Sequence, residues 1–291
     1  MIVALPSLPP PHPAPHAPTR LSVPAGACDA HCHIFGPVAR FPYVQPRPYE
    51  PAELPLERYR AMADRLGLER AVFVQPVVYG TDHAAIVDAL EREPGRYGGV
   101  GLVNDSLDDA ALERMHVAGF RGARFNFVGR LGIFPAPDEI RRTYDRVKRY
   151  GWHLVFHFDD QSFLARSDFL ASLPCAYVID HMARPNAALG TDQPGFAKLL
   201  ELAATPRCHV KISAADRVVG AERLEDGVRF MRALADAAPE RTLWGTDWPH
   251  PNTPIMPDDG DLIDLLAIAV PDVGTREAIL VANPARLYDF E

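Results

Sequence analysis

The stretch Ala27-Cys28-Asp29-Ala30-His31-Cys32-His33 is mostly apolar and ends in two histidines. If this stretch is a β-strand, the two-residue period of its side chains places His31 and His33 on one face and Cys32 on the other. Two imidazoles on one face can reach the same ion or the same substrate. Two histidines can also be close by chance, so their meaning depends on what the rest of the chain forms.

The rest of the chain repeats the pattern of an apolar run followed by a helical period. Further apolar runs lie at residues 70–75, 98–103, 122–127, 153–158, 176–181, 209–213 and 242–248. Several are rich in Val, Ile, Leu and Phe throughout, which is typical of strands buried on both faces. Helical patterns lie between them at residues 56–66, 82–92, 107–118, 137–150, 195–203 and 221–237, and again in the tail at 261–287. Eight such units predict an α/β fold, a (β/α)8 TIM-type barrel. No GxGxxG follows the first run, which disfavours a dinucleotide-binding sheet.

The composition of the chain predicts its domain organisation and the absence of a membrane-spanning segment. We predict that residues 25–291 form one barrel domain and that residues 1–24, rich in proline and alanine, form an extended N-terminal arm. The arm has no charged start or sustained apolar stretch of a signal peptide, and no run is long enough to span a bilayer. The arm could pack on its own barrel or on a second subunit, which leaves a homo-oligomer open.

The net charge limits the kinds of partner that we expect, and the cysteines limit the compartment. The net charge of −8 argues against a nucleic-acid partner or an anionic membrane. Four cysteines without a CxxC pair suit a reducing compartment, so we expect a cytoplasmic protein.

A barrel gives the histidines a common location, because catalytic groups in such barrels lie at the carboxyl ends of the strands. His31 and His33 end the first predicted strand, His157 lies near the end of the fifth, His181 ends the sixth, and Asp247 lies near the end of the eighth. Burying five polar groups without partners would be strongly unfavourable. We therefore predict that they share one active site.

Three motifs of the chain resemble those of a known protein superfamily. They are Asp29-Ala30-His31-Cys32-His33-Ile34-Phe35-Gly36-Pro37, Ile179-Asp180-His181-Met182-Ala183-Arg184-Pro185 and Trp244-Gly245-Thr246-Asp247-Trp248-Pro249-His250-Pro251. With them the chain resembles the amidohydrolase superfamily. Within it, the chain is similar to the 2-pyrone-4,6-dicarboxylate lactonases and related lactone hydrolases, including 4-sulfomuconolactone hydrolase. The resemblance extends from residue 27 to residue 288.

The resemblance implies roles for residues at matching positions. In the lactonases the paired histidines, the sixth-strand histidine and the eighth-strand aspartate line the site, so Asp247 would be the general base on water and His181 would be catalytic beside it. The resemblance also implies substrate-binding residues, which are Tyr49, Arg124, Arg130, Arg184 and Arg217. Guanidinium groups grip carboxylates or sulfonates through paired hydrogen bonds, so four arginines predict a substrate with two negative groups.

Two positions depart from the lactonase pattern. Val77 stands where the lactonases have a serine, and His157 stands where they have a tyrosine. The lactonases are thought to work without metal, but other superfamily members bind one divalent ion through the first-strand pair, a fifth-strand histidine and the eighth-strand aspartate. The matching metal ligands are His31, His33, His157 and Asp247. Three imidazoles and a carboxylate suit zinc, with manganese as an alternative.

The predicted function is hydrolysis of a dianionic unsaturated lactone from aromatic catabolism, with water activated by Asp247 and a divalent metal. The two candidate substrates are 2-pyrone-4,6-dicarboxylate and a sulfonated muconolactone such as 4-sulfomuconolactone. A metal-free lactonase, a lactone isomerase and a decarboxylase of an aromatic acid are alternatives on the same barrel. A non-catalytic barrel that binds an acidic metabolite is a further alternative, but it has no use for Asp247 beside a histidine cluster.

Overall fold

Eight parallel strands form one sheet in the order in which they occur along the chain. The computed structural model describes residues 9–131, 134–251, 253 and 255–290, and of Arg130 only the backbone. The strands are β1 Cys28–Cys32, β2 Arg70–Val74, β3 Tyr97–Leu102, β4 Phe120–Asn126, β5 His153–His157, β6 Tyr177–Ile179, β7 Cys208–Lys211 and β8 Thr242–Leu243. Backbone hydrogen bonds from Ala30 N to Trp244 O (2.9 Å) and from Asp247 N to His31 O (2.8 Å) join the last strand to the first. The predicted (β/α)8 barrel is confirmed.

Helices follow the strands on the outside of the sheet. They are α1 Leu56–Leu66, α2 Ala84–Arg92, α3 Asp109–Ala118, α4 Pro137–Val147, α5 Asp160–Leu164, α6 Ser167–Ser172, α7 Pro194–Ala203, α8 Ala215–Val219, α9 Val228–Ala237, α10 Asp259–Ala269, α11 Val273–Glu277 and α12 Asn283–Tyr288. Capping residues set where helices begin and end. For example, Asp108 caps α3 by accepting from Ala111 N, and Gly119 ends it in the left-handed conformation. None of the helices in the described part of the chain is both long and apolar enough to cross a membrane.

Side chains of the strands alternate between two apolar clusters. Val72 and Val74 of β2 belong to an inner cluster with Val100, Val155, Val178 and Leu243 from other strands. Phe73, between the two valines, belongs to the outer cluster that packs the strands against the helices. Because of this alternation, the inward positions nearest the carboxyl ends of the strands face the mouth of the barrel.

A β-bulge in β1 changes which side chains point inward. Asp29 pairs with Ala71 and Cys32 pairs with Phe73, so three steps along β1 match two along β2. Asp29 therefore turns outward, where the hydroxyl of Tyr59 in α1 lies 3.3 Å from its Oδ2. His31 and His33, beyond the extra residue, turn inward. Bulges commonly re-aim side chains next to active sites in this way.

The described part of the N-terminal arm lies against α10. Residues 9–24 form neither helix nor strand. Thr19 and Arg20 donate backbone hydrogen bonds to the carboxylate of Asp264, and His16 N donates to Asp258 Oδ1 at 3.1 Å. The division of the chain into an arm up to residue 24 and a barrel after it stays a prediction.

Candidate active site

A small cavity opens at the carboxyl ends of the strands. This is the end at which the predicted site residues were expected to meet. Residues in or after seven of the eight strands line it. They are His33, Tyr49, Pro76, Val77, Arg124, Asn126, Leu131, His157, His181, Arg217, Asp247 and Pro251.

Three imidazoles converge on one carboxylate oxygen, Asp247 Oδ1. The Nε2 atoms of His31, His33 and His181 lie 3.6, 3.3 and 3.7 Å from it. The other oxygen, Oδ2, accepts from Arg217 Nε at 2.6 Å and from Nη2 at 2.5 Å. Asp247 and His181 both adopt left-handed backbone conformations, with φ of 63° and 54°. Such conformations cost about 1 to 3 kcal/mol for a non-glycine residue and cluster at functional sites.

The charge of Asp247 follows from these contacts. Burial opposes its ionisation, but the positive charge of Arg217 outweighs burial and holds the pKa of Asp247 well below its usual range. Burial also lowers the pKa of His181 to about 3 and that of His31 well below its usual value. The site therefore combines an ionised carboxylate with neutral His31 and His181.

The second ring nitrogen of each histidine has its own partner. His33 Nδ1 lies 2.6 Å from the carbonyl oxygen of Val74. A carbonyl oxygen only accepts, so His33 Nδ1 carries a proton. His181 Nδ1 lies 2.9 Å from Ser213 Oγ, and a hydroxyl can donate to it or accept from it.

A buried charged group lies behind His31. His31 Nδ1 lies 3.2 Å from Asp180 Oδ1. Lys211 Nζ lies 3.1 Å from that oxygen, and Arg124 Nε lies 3.1 Å from Asp180 Oδ2. Burial opposes ionisation of Asp180, but Lys211, His31 and Arg124 hold its pKa well below the usual range. His31 Nδ1 also lies 3.1 Å from Lys211 Nζ, so it can donate to the carboxylate or accept from the ammonium. Its Nε2, buried without a hydrogen-bond partner among the described residues, faces Asp247.

Four polar residues of the site were not predicted from the sequence, namely Asp180, Lys211, Asn126 and Ser213. Each is a polar residue inside or directly after an apolar run, and that interruption was the available signal. Lysine and aspartate are almost never fully buried unless they are paired. An isolated sequence does not show which distant residue would pair with them.

In the part of the chain that the structure describes, two groups of side chains have ligand atoms close enough to share a metal ion. In the first, atoms of His31, His33 and Asp247 all lie within 4.8 Å of one another. His31 Nε2 has no hydrogen-bond partner among the described residues, and His33 uses its other nitrogen, Nδ1, to contact Val74. Both Nε2 atoms can therefore serve as ligands beside the Asp247 carboxylate, a donor set that fits a divalent ion. The second group is His31, Asp180 and His181. Asp180 already contacts two cationic side chains, which disfavours an added cation there.

His157 belongs to neither group among the described residues. Its ring centroid lies 5.3 Å from that of His181, and its Nδ1 lies 3.1 Å from Asn126 Oδ1. Burial, followed by the charge of Arg124, lowers the pKa of His157 well below its usual value, so the ring is neutral. Its predicted role as a metal ligand stays a prediction.

The predicted substrate-binding residues differ in their positions. Tyr49, Arg124 and Arg217 line the cavity, and Val77 lies on its wall. Arg124 and Arg217 also contact the carboxylates of Asp180 and Asp247. Arg184 is half-buried and, among the described residues, is not one of those that line the cavity. The side chain of Arg130 lies outside the described part of the chain.

The centre of the site has a net positive charge although the whole chain is acidic. Lys211, Arg124 and Arg217 supply three positive charges, and Asp180 and Asp247 supply two negative ones, which leaves one positive charge in excess. Because His31 and His181 are neutral, they do not change this sum. The arrangement therefore favours an anionic ligand.

Comparisons with known proteins identify the family of the chain. Residues 28–290 match the family described as amidohydrolase. A 2-pyrone-4,6-dicarboxylate hydrolase of Comamonas testosteroni is 40% identical over 280 residues, with 92% of each chain covered. A 4-sulfomuconolactone hydrolase of Rhizobium radiobacter is 39% identical, over 94% of this chain and 93% of that one. A solved apo structure from Agrobacterium tumefaciens has a TM-score of 0.82 at 26% identity, covering 93% of this chain and 98% of the other. The resemblance seen in the motifs is confirmed, and the chain belongs to the amidohydrolase family.

Proposed function

We propose that this protein hydrolyses a dianionic unsaturated lactone from aromatic catabolism, either 2-pyrone-4,6-dicarboxylate or a sulfonated muconolactone such as 4-sulfomuconolactone. The observation that carries the proposal is the convergence of three imidazoles on Asp247 in a cavity that Arg124 and Arg217 also line. The two relatives that are about 40% identical are hydrolases of such lactones, which supports the same reaction class.

Asp247 is suited to be the general base. It is ionised, and Arg217 holds Oδ2 so that Oδ1 faces the histidines. Water adds to the lactone carbonyl carbon as its proton passes to Asp247, and the ring C–O bond then breaks. The proton returns to the departing oxygen, giving an enol or alcohol and a carboxylic acid, which then releases its proton to solvent. A positioned base of this kind typically contributes about 10²- to 10⁴-fold to the rate.

The histidines have two different roles, because the groups that contact their Nδ1 atoms differ. His181 can accept from the hydroxyl of Ser213 at Nδ1, which puts its own proton on Nε2, beside Asp247. In that state His181 donates a hydrogen bond to the substrate's carbonyl oxygen and polarises it. His33 donates from Nδ1 to the carbonyl oxygen of Val74, and we propose that His31 donates from Nδ1 to Asp180, so that the Nε2 atom of each ring is left to bind a cation. A lone pair binds a cation but cannot donate to a carbonyl oxygen.

This difference favours a metal-assisted hydrolase over a metal-free one. We propose that His31, His33 and Asp247 hold one divalent ion, zinc by the chemistry of the donors and manganese as the alternative. When bound, such an ion lowers the pKa of water and acts as a Lewis acid. The proposal needs no contribution from His157.

The substrate's negative groups would lie against the cationic side chains of the cavity. Arg124 has only its Nε engaged with Asp180 in the described contacts, and its guanidinium lines the cavity. The proposal keeps four further predicted binding residues, which are Tyr49, Arg130, Arg184 and Arg217.

The four cysteines are free thiols, which fits the predicted cytoplasmic location. A homo-oligomer also stays a prediction.

A panel of lactones tests the function. Purified protein is incubated with lactones that carry no charge, one carboxylate, two carboxylates, or a carboxylate and a sulfonate, and products are followed by mass spectrometry. We expect addition of one water to the dianionic members. An isomerase would give products of unchanged mass, and a decarboxylase would release carbon dioxide. Preference for neutral sugar lactones would contradict the proposal.

A further inference from the structure

Asn126, the last residue of β4, has a side-chain amide nitrogen without a hydrogen-bond partner in the described structure. The residue is 1% exposed, and it lines the cavity. Leaving a buried donor unpaired costs about 1 to 3 kcal/mol, so native proteins rarely do so. The free N–H groups of Asn126 therefore point to an acceptor that arrives with a ligand.

The amide is oriented by its neighbour on β5. Asn126 and His157 are direct partners in the register of the two strands. His157 Nδ1 lies 3.1 Å from Asn126 Oδ1, and an amide oxygen only accepts, so the imidazole donates. This bond fixes which end of the amide faces the ring. It leaves the NH2 end for another partner.

Arg124 identifies the class of that partner. It lies two residues before Asn126 on β4, hence on the same face of the strand, and it lines the same cavity. Guanidinium and amide N–H groups are donors only, so a group that contacts both must accept hydrogen bonds. A carboxylate or a sulfonate satisfies this requirement, and its charge also matches that of Arg124.

We propose that Asn126 binds the substrate by donating from Nδ2 to an anionic group held by Arg124, and that His157 is the positioning residue that keeps the amide in this orientation. The proposal rests on the proposed function for the identity of the anion as part of a dianionic lactone. It gives His157 a role that requires no metal.

Binding measured without turnover tests the proposal. The probe is benzene-1,3-dicarboxylate, a planar dianion with no ester to cleave and no ring nitrogen to chelate a metal, titrated into the full-length protein by calorimetry. Asn126→Leu should raise Kd by about tenfold to a hundredfold, the value of one hydrogen bond to a charged group. Asn126→Asp, which keeps an oxygen for His157 and places a negative charge at the donor position, should raise Kd further. The KM for a hydrolysed lactone should rise in parallel, with a much smaller change in kcat.

A double-mutant cycle tests the role of His157. His157→Phe alone should raise Kd, but it should add little in the Asn126→Leu background, because there is no amide left to orient. Thr143→Val is the control. Thr143 in α4 is also buried with an unpartnered oxygen, but it is not among the described residues that line the cavity, so its replacement should leave Kd unchanged.

The outcomes separate this proposal from the proposed function. Unchanged Kd in folded Asn126→Leu and Asn126→Asp would overturn the binding role of Asn126, even if the wild-type protein hydrolyses dianionic lactones. Fully additive losses in the cycle would overturn the positioning role of His157. If the wild-type protein cleaves no lactone but the variants bind the probe as expected, the proposed function fails and the anion site stands.

Discussion

Lys211 Nζ lies 3.1 Å from Asp180 Oδ1, and neither side chain is exposed to solvent. The same carboxylate oxygen lies 3.2 Å from His31 Nδ1, so the ion pair lies directly behind one of the three histidines that face Asp247. Burying charges is unfavourable unless they are paired and hydrogen-bonded, and Asp180 meets this condition by contacting Arg124 as well. We infer that the pair fixes the orientation of the His31 ring.

Replacing Lys211 with methionine should destabilise the protein because Asp180 loses a buried partner. We expect the free energy of unfolding to fall by about 3 kcal/mol, as is typical when one member of a buried ion pair is removed. Urea denaturation measures this change. Lys198→Met is the matched control, because Lys198 contacts Glu201 on the exposed face of α7 and should contribute less than about 0.5 kcal/mol. Equal effects of the two substitutions would contradict the inferred role of the buried pair.

Replacing Asp247 with asparagine should abolish most turnover but spare binding of anions. The amide has nearly the same shape as the carboxylate but cannot take a proton from water, so we expect kcat to fall by about 10³-fold. Binding of benzene-1,3-dicarboxylate, compared in metal-free wild-type protein and variant, should be kept or tightened, because one negative charge leaves the cavity. Steady-state kinetics and calorimetry measure the two effects. A variant that hydrolyses its lactone at nearly the wild-type rate would rule out Asp247 as the base.

The fold could be predicted because the strands are short, apolar and regularly spaced. The structure places helix α1 within the predicted limits, Leu56 to Leu66, and assigns a strand to each predicted apolar run. The strand ends were less accurate. The run predicted at residues 242–248 becomes a strand only at Thr242–Leu243, and Asp247, four residues further on, adopts the left-handed conformation.

Parts of the site depended on contacts that a single sequence does not show. The two-residue period correctly placed His31 and His33 together, but the same period would also place Asp29 with them. The bulge in β1 turns Asp29 outward, and it is visible only in the register with β2. Arg217 was predicted as a residue that binds substrate, and its contact with Asp247 Oδ2 became visible only when distant segments were brought together.

Stability should fall in acid partly because of His83, a buried histidine between α2 and the sheet. Burial lowers the pKa of His83 to about 4, so protonation favours the unfolded chain, in which the pKa is about 6.5. The stabilising effect of the neutral ring is complete above pH 6.5 and is lost as the pH falls toward 4. Between about pH 7.5 and pH 4.5, the free energy of unfolding of the wild-type protein should fall by about 2 to 3 kcal/mol more than that of His83→Gln. Parallel pH profiles of the two proteins would contradict this effect.

Metal content distinguishes the ligand set inferred from the structure from the one predicted from the sequence. We expect about one equivalent of zinc in purified protein, measured by inductively coupled plasma mass spectrometry, and loss of turnover on chelation that added zinc reverses. His33→Gln should lose the metal, since His33 Nε2 lies 3.3 Å from Asp247 Oδ1. His157→Gln should keep it, because His157 lies outside the group formed by His31, His33 and Asp247. Equal metal loss in both variants would support the four-ligand set predicted from the sequence. Full activity in metal-free protein would remove the metal from the mechanism and leave Asp247 and His181 to act alone.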